Sequence, residues 1–419
     1  MARGRIFYGW WVTIAFAIMV FLSTGVRFSV GPFLKPIVAD LGTDRGTFSL
    51  VVSLSLFLYG VFMPFVGRLV ERWGARPIAI IGTLVFAASL AGTGLVTRMW
   101  QLTLVYGILV ALGLSATGHV IGSAVISRWF TRRRATALSL LGAASMAGMS
   151  LLVPVAMWLI LTVGWRWAYG IIGLGSAIIL LPLALWVVRE SPETMGLVPD
   201  GLPSASQTPS VAIVERTAVI DAARTAPFWQ LCGGMYTCGF SMSLLSAHGV
   251  PMLTDHGYHA MLASSAVGLL GLSSFAGSMA LGAIADRFGA RPVLAWLYGT
   301  RTLLFAALFF VRDSPTALLV VAALGGTSMS GSLAMTSSLT ADIFGRFSVG
   351  SVFGTIFVVH QAGAALGSWL GGLVFELTGG YGLAFAIAGA QLLVAAAISL
   401  AIDEGARCAP RLRPAAVEP

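Results

Sequence analysis

GRLVERWGARP at residues 67–77 and GAIADRFGARP at residues 282–292 are two copies of one short sequence, and the second begins 215 positions after the first. Both copies keep a glycine, an acid four places later, an arginine, an aromatic residue and then Gly-Ala-Arg-Pro. Each copy lies between two long apolar runs. The chain is therefore predicted to consist of two related halves that each contain membrane helices.

The composition is that of an integral membrane protein. Of the 419 residues, 57% are hydrophobic and 10% are charged, against averages of about 45–50% and 25% for soluble domains. Apolar runs of roughly 20 residues, the length that crosses a hydrocarbon core, recur along almost the whole chain. We predict an all-α protein with twelve transmembrane spans, numbered in chain order: 9–31, 47–70, 77–97, 100–128, 133–162, 166–188, 227–254, 260–285, 292–311, 315–342, 347–377 and 381–402.

A polar stretch divides the spans into two sets of six. We expect an N-terminal six-helix bundle over 1–188, a connector over 189–226, a C-terminal six-helix bundle over 227–402 and a tail over 403–419. Within the connector, VAIVERTAVIDAAR at 211–224 has apolar residues at helical spacing. It predicts a short helix that either lies on the membrane face or simply joins the halves.

The basic residues predict the orientation. If both termini are cytoplasmic, 18 of the 25 Lys and Arg residues lie on the cytoplasmic side, as the positive-inside rule requires. A basic face toward anionic lipid explains the net charge of +9 without nucleic acid. The first span lacks a cleavage site and is expected to be retained. The three cysteines, Cys232, Cys238 and Cys408, have neither disulfide nor metal spacing, and no cofactor is predicted.

The repeated loops resemble the signature of the major facilitator superfamily, with Glu71 in place of its usual Asp. The matching residues are Gly67, Glu71, Arg72, Gly74 and Arg76 in the first loop and Gly282, Asp286, Arg287, Gly289 and Arg291 in the second. The resemblance implies two six-helix bundles, a central path lined by spans 1, 4, 7 and 10, a functional monomer, and loops that gate the path. A carboxylate at a helix end can bond backbone amides and an arginine, which would hold a gate shut.

Further segments are similar to bacterial relatives of the monocarboxylate transporters and oxalate:formate antiporters. They include FYGWW at 7–11, RFSVGPFLKP at 27–36, RWFTRRRATAL at 128–138, PETMGLVPDG at 192–201, HGVPMLTDHG at 248–257 and DIFGRFSVGSVFG at 342–354. This resemblance implies a carrier of small organic acids. One residue departs from it, because Ser278 stands where the branch usually has a carboxylate-binding arginine.

The charges inside the spans favour an anionic substrate. All sixteen acids fall in loops or near span ends, whereas Arg27 and Arg301 fall inside spans, and a guanidinium matches a carboxylate bidentately. Arg27 is expected either to line the cavity or to lie at the outer end, where it would extend to water or pair with Asp40 or Asp44. An unpaired charge at the depth of Arg301 would cost at least about 2.5–3.5 kcal/mol. Arg301 is therefore expected to bond backbone carbonyls or a neighbouring helix, with an anion contact as the alternative.

Three histidines, His119, His248 and His360, also lie inside spans and titrate near neutral pH, so each is a candidate proton carrier. The alternative for each is a neutral side chain with one interhelical hydrogen bond. The candidate substrate-binding residues are Arg27, His119, Tyr236, Ser278, His360 and Gln361. His360 is included because the resemblance places it where the oxalate carrier has a substrate-binding lysine.

The sequence thus predicts a secondary carrier of a small, monocarboxylate-like organic anion in a bacterial inner membrane, with proton symport or anion exchange. The alternatives are a carrier of a larger neutral or zwitterionic metabolite or drug, and a sensor that has lost transport. An enzyme is disfavoured, because the chain has no paired buried carboxylates, no histidine cluster at metal spacing and no nucleophile elbow.

Overall fold

The computed structural model describes residues 7–130, 133–199, 217–311, 314–329, 331–345 and 349–403, and its regular elements there are helices. The predicted all-α class is confirmed. The helices of the first half are Tyr8–Phe28, Val30–Leu41, Arg45–Trp73, Ala75–Thr93, Met99–Leu102, Thr103–Val110, Ala111–Thr117, His119–Trp129, Arg134–Pro182 and Leu183–Val187. Those of the connector and second half are Pro192–Met195, Val219–Ala222, Ala226–Asp255, Ala260–Phe288, Ala290–Phe310, Pro315–Gly326, Ser332–Phe344, Val349–Thr378 and Gly382–Leu400.

Each of the twelve predicted spans coincides with one of these helices or with consecutive helical segments. Eight helices in the described part of the chain are long and apolar enough to cross a membrane. The number is lower than twelve in part because spans 5 and 6 are counted together: they are two helices that meet at Gly164, whose φ/ψ of 82°/161° is not helical. Spans 7, 9 and 10 are shorter or less apolar than this measure demands. The predicted connector helix lies mostly outside the described residues.

Three spans that were predicted as single helices are interrupted. Span 1 bends at Ser29 and continues as Val30–Leu41. Span 4 contains a π-helix, Thr103–Val110, and a break at the extended residue Gly118. Span 10 stops at Gly326 and restarts at Ser332. An apolar run does not reveal such breaks, because hydrophobicity reports depth in the membrane and not the hydrogen bonding of each turn.

The sequence repeat is also a structural repeat. Gly74 and Gly289 join their helices with nearly identical dihedral angles, φ/ψ of 86°/159° and 87°/156°, a region open in practice only to glycine. Arg76 donates a hydrogen bond to the carbonyl of Leu185, and Arg291 donates the equivalent bond to Ile402 at 3.1 Å. The side chains of Glu71 and Asp286 lie outside what the structure describes, so their predicted gating bridge remains a prediction.

Helix packing repeats with the same offset. Gly148 of span 5 lies against the carbonyl of Phe21 in span 1, and Gly363 of span 11 lies against the carbonyl of Tyr236 in span 7. Both members of the second pair follow the first by 215 positions. Gly367 and Gly371 continue the contact along span 7. The glycine stripe of span 11 therefore brings two backbones close together, as small residues do in membrane bundles.

Two hydrophobic cores fill the molecule. The first draws mainly on residues between Val12 and Val188 but includes Ala247 and Ala364, and the second draws mainly on residues between Ala222 and Ile402. Between them, span 2 packs on span 11 and span 5 packs on span 8. Gly268 and Gly271 lie directly against the backbone of Ser150. The space between the two cores is where residues of both halves can form one site.

Candidate functional site

Arg27 reaches from the first bundle to the second. It lies in the last turn of Tyr8–Phe28, just before the bend at Ser29, and its Nη2 donates a hydrogen bond of 3.3 Å to Oε1 of Gln361 in span 11. The guanidinium carbon is 4.8 Å from the ring centroid of Tyr59. A small cavity beside these groups is lined by Arg27, Val30, Val52, Ser55, Leu56, Tyr59, Tyr106, Leu114 and Ser246.

The described neighbours of Arg27 include no carboxylate. The two acids that could have paired with it are engaged elsewhere: Asp40 bonds Arg166 at 2.6 Å, and Asp44 accepts a hydrogen bond of 2.6 Å from the backbone of Thr47 at a helix start. A hydrogen bond from the Thr47 hydroxyl, together with this capping bond, holds the pKa of Asp44 below its usual value. Arg27 is therefore not paired with either acid, and it lines the small cavity. Its role in substrate binding remains a prediction.

Gln361 connects Arg27 with His360. Its Oε1, which accepts from Arg27, also accepts from Nδ1 of His360 at 2.9 Å, while its Nε2 donates to the carbonyl of Leu56 in the first bundle at 3.3 Å. The His360 ring stacks on Phe357 with centroids 5.2 Å apart. Three of the candidate residues thus meet in one place, and one amide group joins two spans of opposite bundles.

The remaining candidates lie elsewhere or are not described. His119 and Ser145 are hydrogen-bonded at 2.6 Å within the first bundle. His248 donates from Nε2 to the carbonyl of Ser368 at 2.8 Å. Tyr236 packs its ring beside Phe240. The side chain of Ser278 lies outside the described residues, so its part in the site remains a prediction.

Arg301 is fully buried inside the second bundle. It donates to the carbonyl of Ser328 at 2.6 and 3.2 Å and to that of Met329 at 2.9 Å. These carbonyls follow the end of Pro315–Gly326, where helix geometry leaves acceptors unpaired and partly negative. The guanidinium therefore bonds backbone carbonyls at the break in span 10. This is the arrangement expected if Arg301 has a structural role.

Comparison with known proteins identifies the family. The model of the Major Facilitator Superfamily matches residues 16–310 and 231–416. The chain belongs to the major facilitator superfamily. This transporter is similar to an uncharacterized MFS-type transporter, YcxA, of Bacillus subtilis, with 26% identity over 90% of this chain and 91% of the relative. It is also similar to monocarboxylate transporter 13 of Bos taurus, with 24% identity over 94% and 89% of the two chains.

Solved structures agree on the fold. A bacterial homologue of the human lysosomal transporter Spinster, in an inward-facing and unoccupied conformation, matches this transporter with a TM-score of 0.73 at 16% identity, over 98% of this chain and all of the other. A second, occupied structure of that homologue matches with a TM-score of 0.72 over 95% of this chain. At this identity the likeness shows the major facilitator fold alone. It also supports the twelve predicted spans.

Sequence reasoning missed a charged cluster that joins the two bundles of the transporter. It lies at the end opposite the two repeated Gly-Ala-Arg-Pro loops at 67–77 and 282–292, called the GARP loops below. We call Lys35, Arg45, Asp255 and Glu376 the closed-end cluster. Asp255 lies 2.6 Å from Lys35 and 2.5 Å from Arg45, and the backbone of Arg45 donates to Glu376 at 2.8 Å. No signal in the sequence singled these residues out, because they are ordinary charges at span ends until folding brings them together.

Further bonds extend from the closed-end cluster toward Arg27. Ser49 contacts His248 at 3.4 Å, and Ser53 donates to the carbonyl of Ala365 at 2.7 Å. Each joins span 2 to the second bundle. Partial burial raises the pKa of Asp255, but hydrogen bonds from Arg45 and Lys35 outweigh it and leave the pKa below its usual value. The carboxylate is therefore ionised and paired at neutral pH.

Proposed function

We propose that this transporter carries a small organic anion and that Arg27 is its charge partner. The observation that supports the proposal is a guanidinium at the junction of the two bundles whose described contacts are an amide and aromatic rings, with no carboxylate among them. A buried cation of this kind gains most from a carboxylate, which it can bind through two parallel hydrogen bonds. Gln361 and His360 stand beside it as further contacts.

Alternating access follows from the position of the site. Arg27 belongs to the first bundle and Gln361 to the second, so rocking of the bundles exposes the site to one side at a time. With the GARP loops on the cytoplasmic side, as the charge distribution predicts, the closed-end cluster is external and closes this conformation to the outside. Proton symport or anion exchange would drive transport, with His360, His248 or His119 as proton carriers.

The relatives support the class and the location that we propose. Monocarboxylate transporter 13 is named for monocarboxylates, and it is similar over most of both chains. The Bacillus subtilis relative supports the bacterial cell inner membrane as the site of action. At about a quarter identity these relatives do not assign a particular acid.

Uptake into proteoliposomes tests the proposal. Labelled monocarboxylates should enter or exchange across a pH gradient, and Arg27→Gln should abolish this uptake because it removes the site's cation. Arg27→Lys keeps the charge but not the bidentate geometry, so it should retain only part of the activity. Arg224→Gln, at a largely exposed arginine of the connector, is the matched control and should behave as wild type. Transport of a neutral or zwitterionic compound, with no acid moved, would refute the proposal.

A further inference from the structure

Cys238 and Arg301 form a buried pair that the proposed transport site does not use. Both residues are fully buried. Nη1 of Arg301 lies 3.3 Å from Sγ of Cys238, and the hydroxyl of Ser332 lies 3.1 Å from the same sulfur. Ser241 adds a hydroxyl contact to Nη1 at 3.4 Å. Arg301 and Ser332 can donate hydrogen bonds to the sulfur, whereas Sδ of Met242, 3.8 Å from it, can only accept one.

The described contacts of Arg301 include no carboxylate, although its charge lies in the interior of a bundle. The carbonyls of Ser328 and Met329 compensate it only in part. The ionisable groups that face Cys238 are Arg301 and Tyr298 from span 9 and His360 from span 11, while span 10 contributes the neutral Ser332. An adjacent cation stabilises a thiolate electrostatically, against the cost of burying its charge. A thiolate here would neutralise the guanidinium.

His360 offers an unused acceptor beside the thiol. Oε1 of Gln361 accepts from both Arg27 and His360, and its Nε2 donates to a carbonyl. The amide orientation is therefore fixed, and Nδ1 of His360 must carry a hydrogen. In the neutral ring Nε2 then has a free lone pair. This atom is buried without a hydrogen-bond partner, in a residue only 5% exposed, and the ring lies next to Cys238.

We propose that Cys238 is an ionised thiolate paired with Arg301, and that the coupled proton binds between this sulfur and Nε2 of His360. Loading adds one proton to the pair, shared between sulfur and nitrogen, and unloading returns it to water, so no other bond is made or broken. The second part rests on the proposed function, because it assigns a binding site to the proton that moves with the anion. The first part does not depend on transport.

The proposed proton-binding site and the proposed anion site are joined by neighbouring side chains. Arg301, Cys238, His360, Gln361 and Arg27 form a continuous series of neighbours from the interior of the second bundle to the first. A proton on His360 adds positive charge next to the amide that bonds Arg27. The bound anion would therefore be held more tightly when the proton is present, which is the requirement for symport.

Infrared spectroscopy of the purified protein tests the thiolate without any substrate. With Cys232 and Cys408 replaced by alanine, Cys238 is the only thiol, and we expect no S–H stretching band at neutral pH. Arg301→Gln in that background should restore the band. The matched control keeps only Cys232, which is buried on the same span and should show the band. An S–H band from Cys238 with Arg301 intact would overturn the thiolate.

Two further measurements keep the proposal testable if Arg301→Gln does not fold. Cys238→Asp keeps an anion beside Arg301 and should melt near the wild-type temperature, whereas Cys238→Ala should melt lower; the reverse order contradicts the thiolate. In proteoliposomes, Cys238→Ala should lose acceleration by a pH gradient, whereas Cys232→Ala should keep it. If uptake by Cys238→Ala is still accelerated by the pH gradient, the proposed proton-binding site is wrong. If no acid is moved by wild type, the proposed function fails while the infrared result still decides the thiolate.

Discussion

The two intramembrane arginines illustrate how local partners decide a residue's role. Arg27 has an amide and aromatic rings around it at the bundle junction, whereas Arg301 is hydrogen-bonded to carbonyls, one hydroxyl and the sulfur of Cys238 inside one bundle. In the sequence the two look alike, because each is an arginine inside an apolar run. Sequence could predict that both matter, but not which would face the cavity, because that depends on the unpaired carbonyls at the break in span 10.

Arg301→Gln should destabilise the transporter far more than Arg27→Gln. The change leaves the carbonyls of Ser328 and Met329 buried with fewer donors, and each buried group left unsatisfied costs about 1–3 kcal/mol. Thermal unfolding of the purified proteins measures the difference. Arg27→Gln is the control, because it removes one bond of 3.3 Å. Equal melting temperatures for the two variants would contradict the structural role of Arg301.

Gln361→Glu should weaken uptake of the anion strongly. A carboxylate at this position would lie within bonding distance of Arg27 and occupy the cation that the substrate needs. Initial rates at increasing substrate concentration measure the expected rise in KM. Gln230→Glu, near the start of span 7 where the amide donates to the carbonyl of Ala401, is the matched control. An unchanged KM in Gln361→Glu would separate Arg27 from substrate binding.

At the scale of helices, the backbone contacts between spans 1 and 5 and between spans 7 and 11 determine how closely each bundle packs. The spacing of Gly363, Gly367 and Gly371 predicts that close approach, and the structure shows it. The breaks at Ser29, at Gly118 and after Gly326 were not predicted. They depend on which backbone groups find partners in neighbouring helices, and a hydropathy pattern contains no information about those partners.

Gly363→Ala should destabilise the second bundle, whereas Gly354→Ala on the same helix should not. A methyl group at Gly363 would overlap the carbonyl of Tyr236, while nothing lies within 4 Å of the equivalent point at Gly354. Overpacking of this kind costs about 1–3 kcal/mol, and alanine in an open helical position gains about 0.5–1 kcal/mol over glycine. Melting temperatures compare the two. A Gly363→Ala protein as stable as Gly354→Ala would refute the close contact.

At the scale of the molecule, the closed-end cluster holds the two bundles together on one side. Its members are distant in sequence, with Arg45 and Asp255 separated by 210 positions. The repeat predicts two bundles but not which ends meet, since the same sequence must support both states of a carrier. This part of the architecture therefore required the structure.

Asp255→Asn should shift the transporter toward the state that is open at this end, because it removes the anion between Lys35 and Arg45. The rate at which a thiol reagent labels Ser246→Cys, a position that lines the cavity, measures the shift. Asp221→Asn, whose only described ion pair is a loose one at 3.9 Å, is the control. Slower or unchanged labelling in Asp255→Asn would show that the cluster does not close this end.

Acid should have the same effect as Asp255→Asn, but only at low pH. The pKa of Asp255 is depressed in the closed state, so its contribution is fully present above the ordinary carboxyl pKa of about 3.9 and is lost as the pH falls through the lower, closed-state value. Labelling of Ser246→Cys, divided by the rate for free cysteine at the same pH to correct for loss of the thiolate, should stay slow across the neutral range and rise only in strong acid. A rise near neutral pH would assign the switch to another group, such as His248.

The bond from Gln361 to Leu56 crosses the bundles within the half that must separate when the closed end opens. In the proposed transport cycle, the amide that contacts Arg27 and His360 would be anchored in this state and released in the other. The proposed binding site would then be taken apart once in each turnover. Its affinity for the substrate should accordingly differ between the two faces of the membrane, so that one face favours capture and the other favours release.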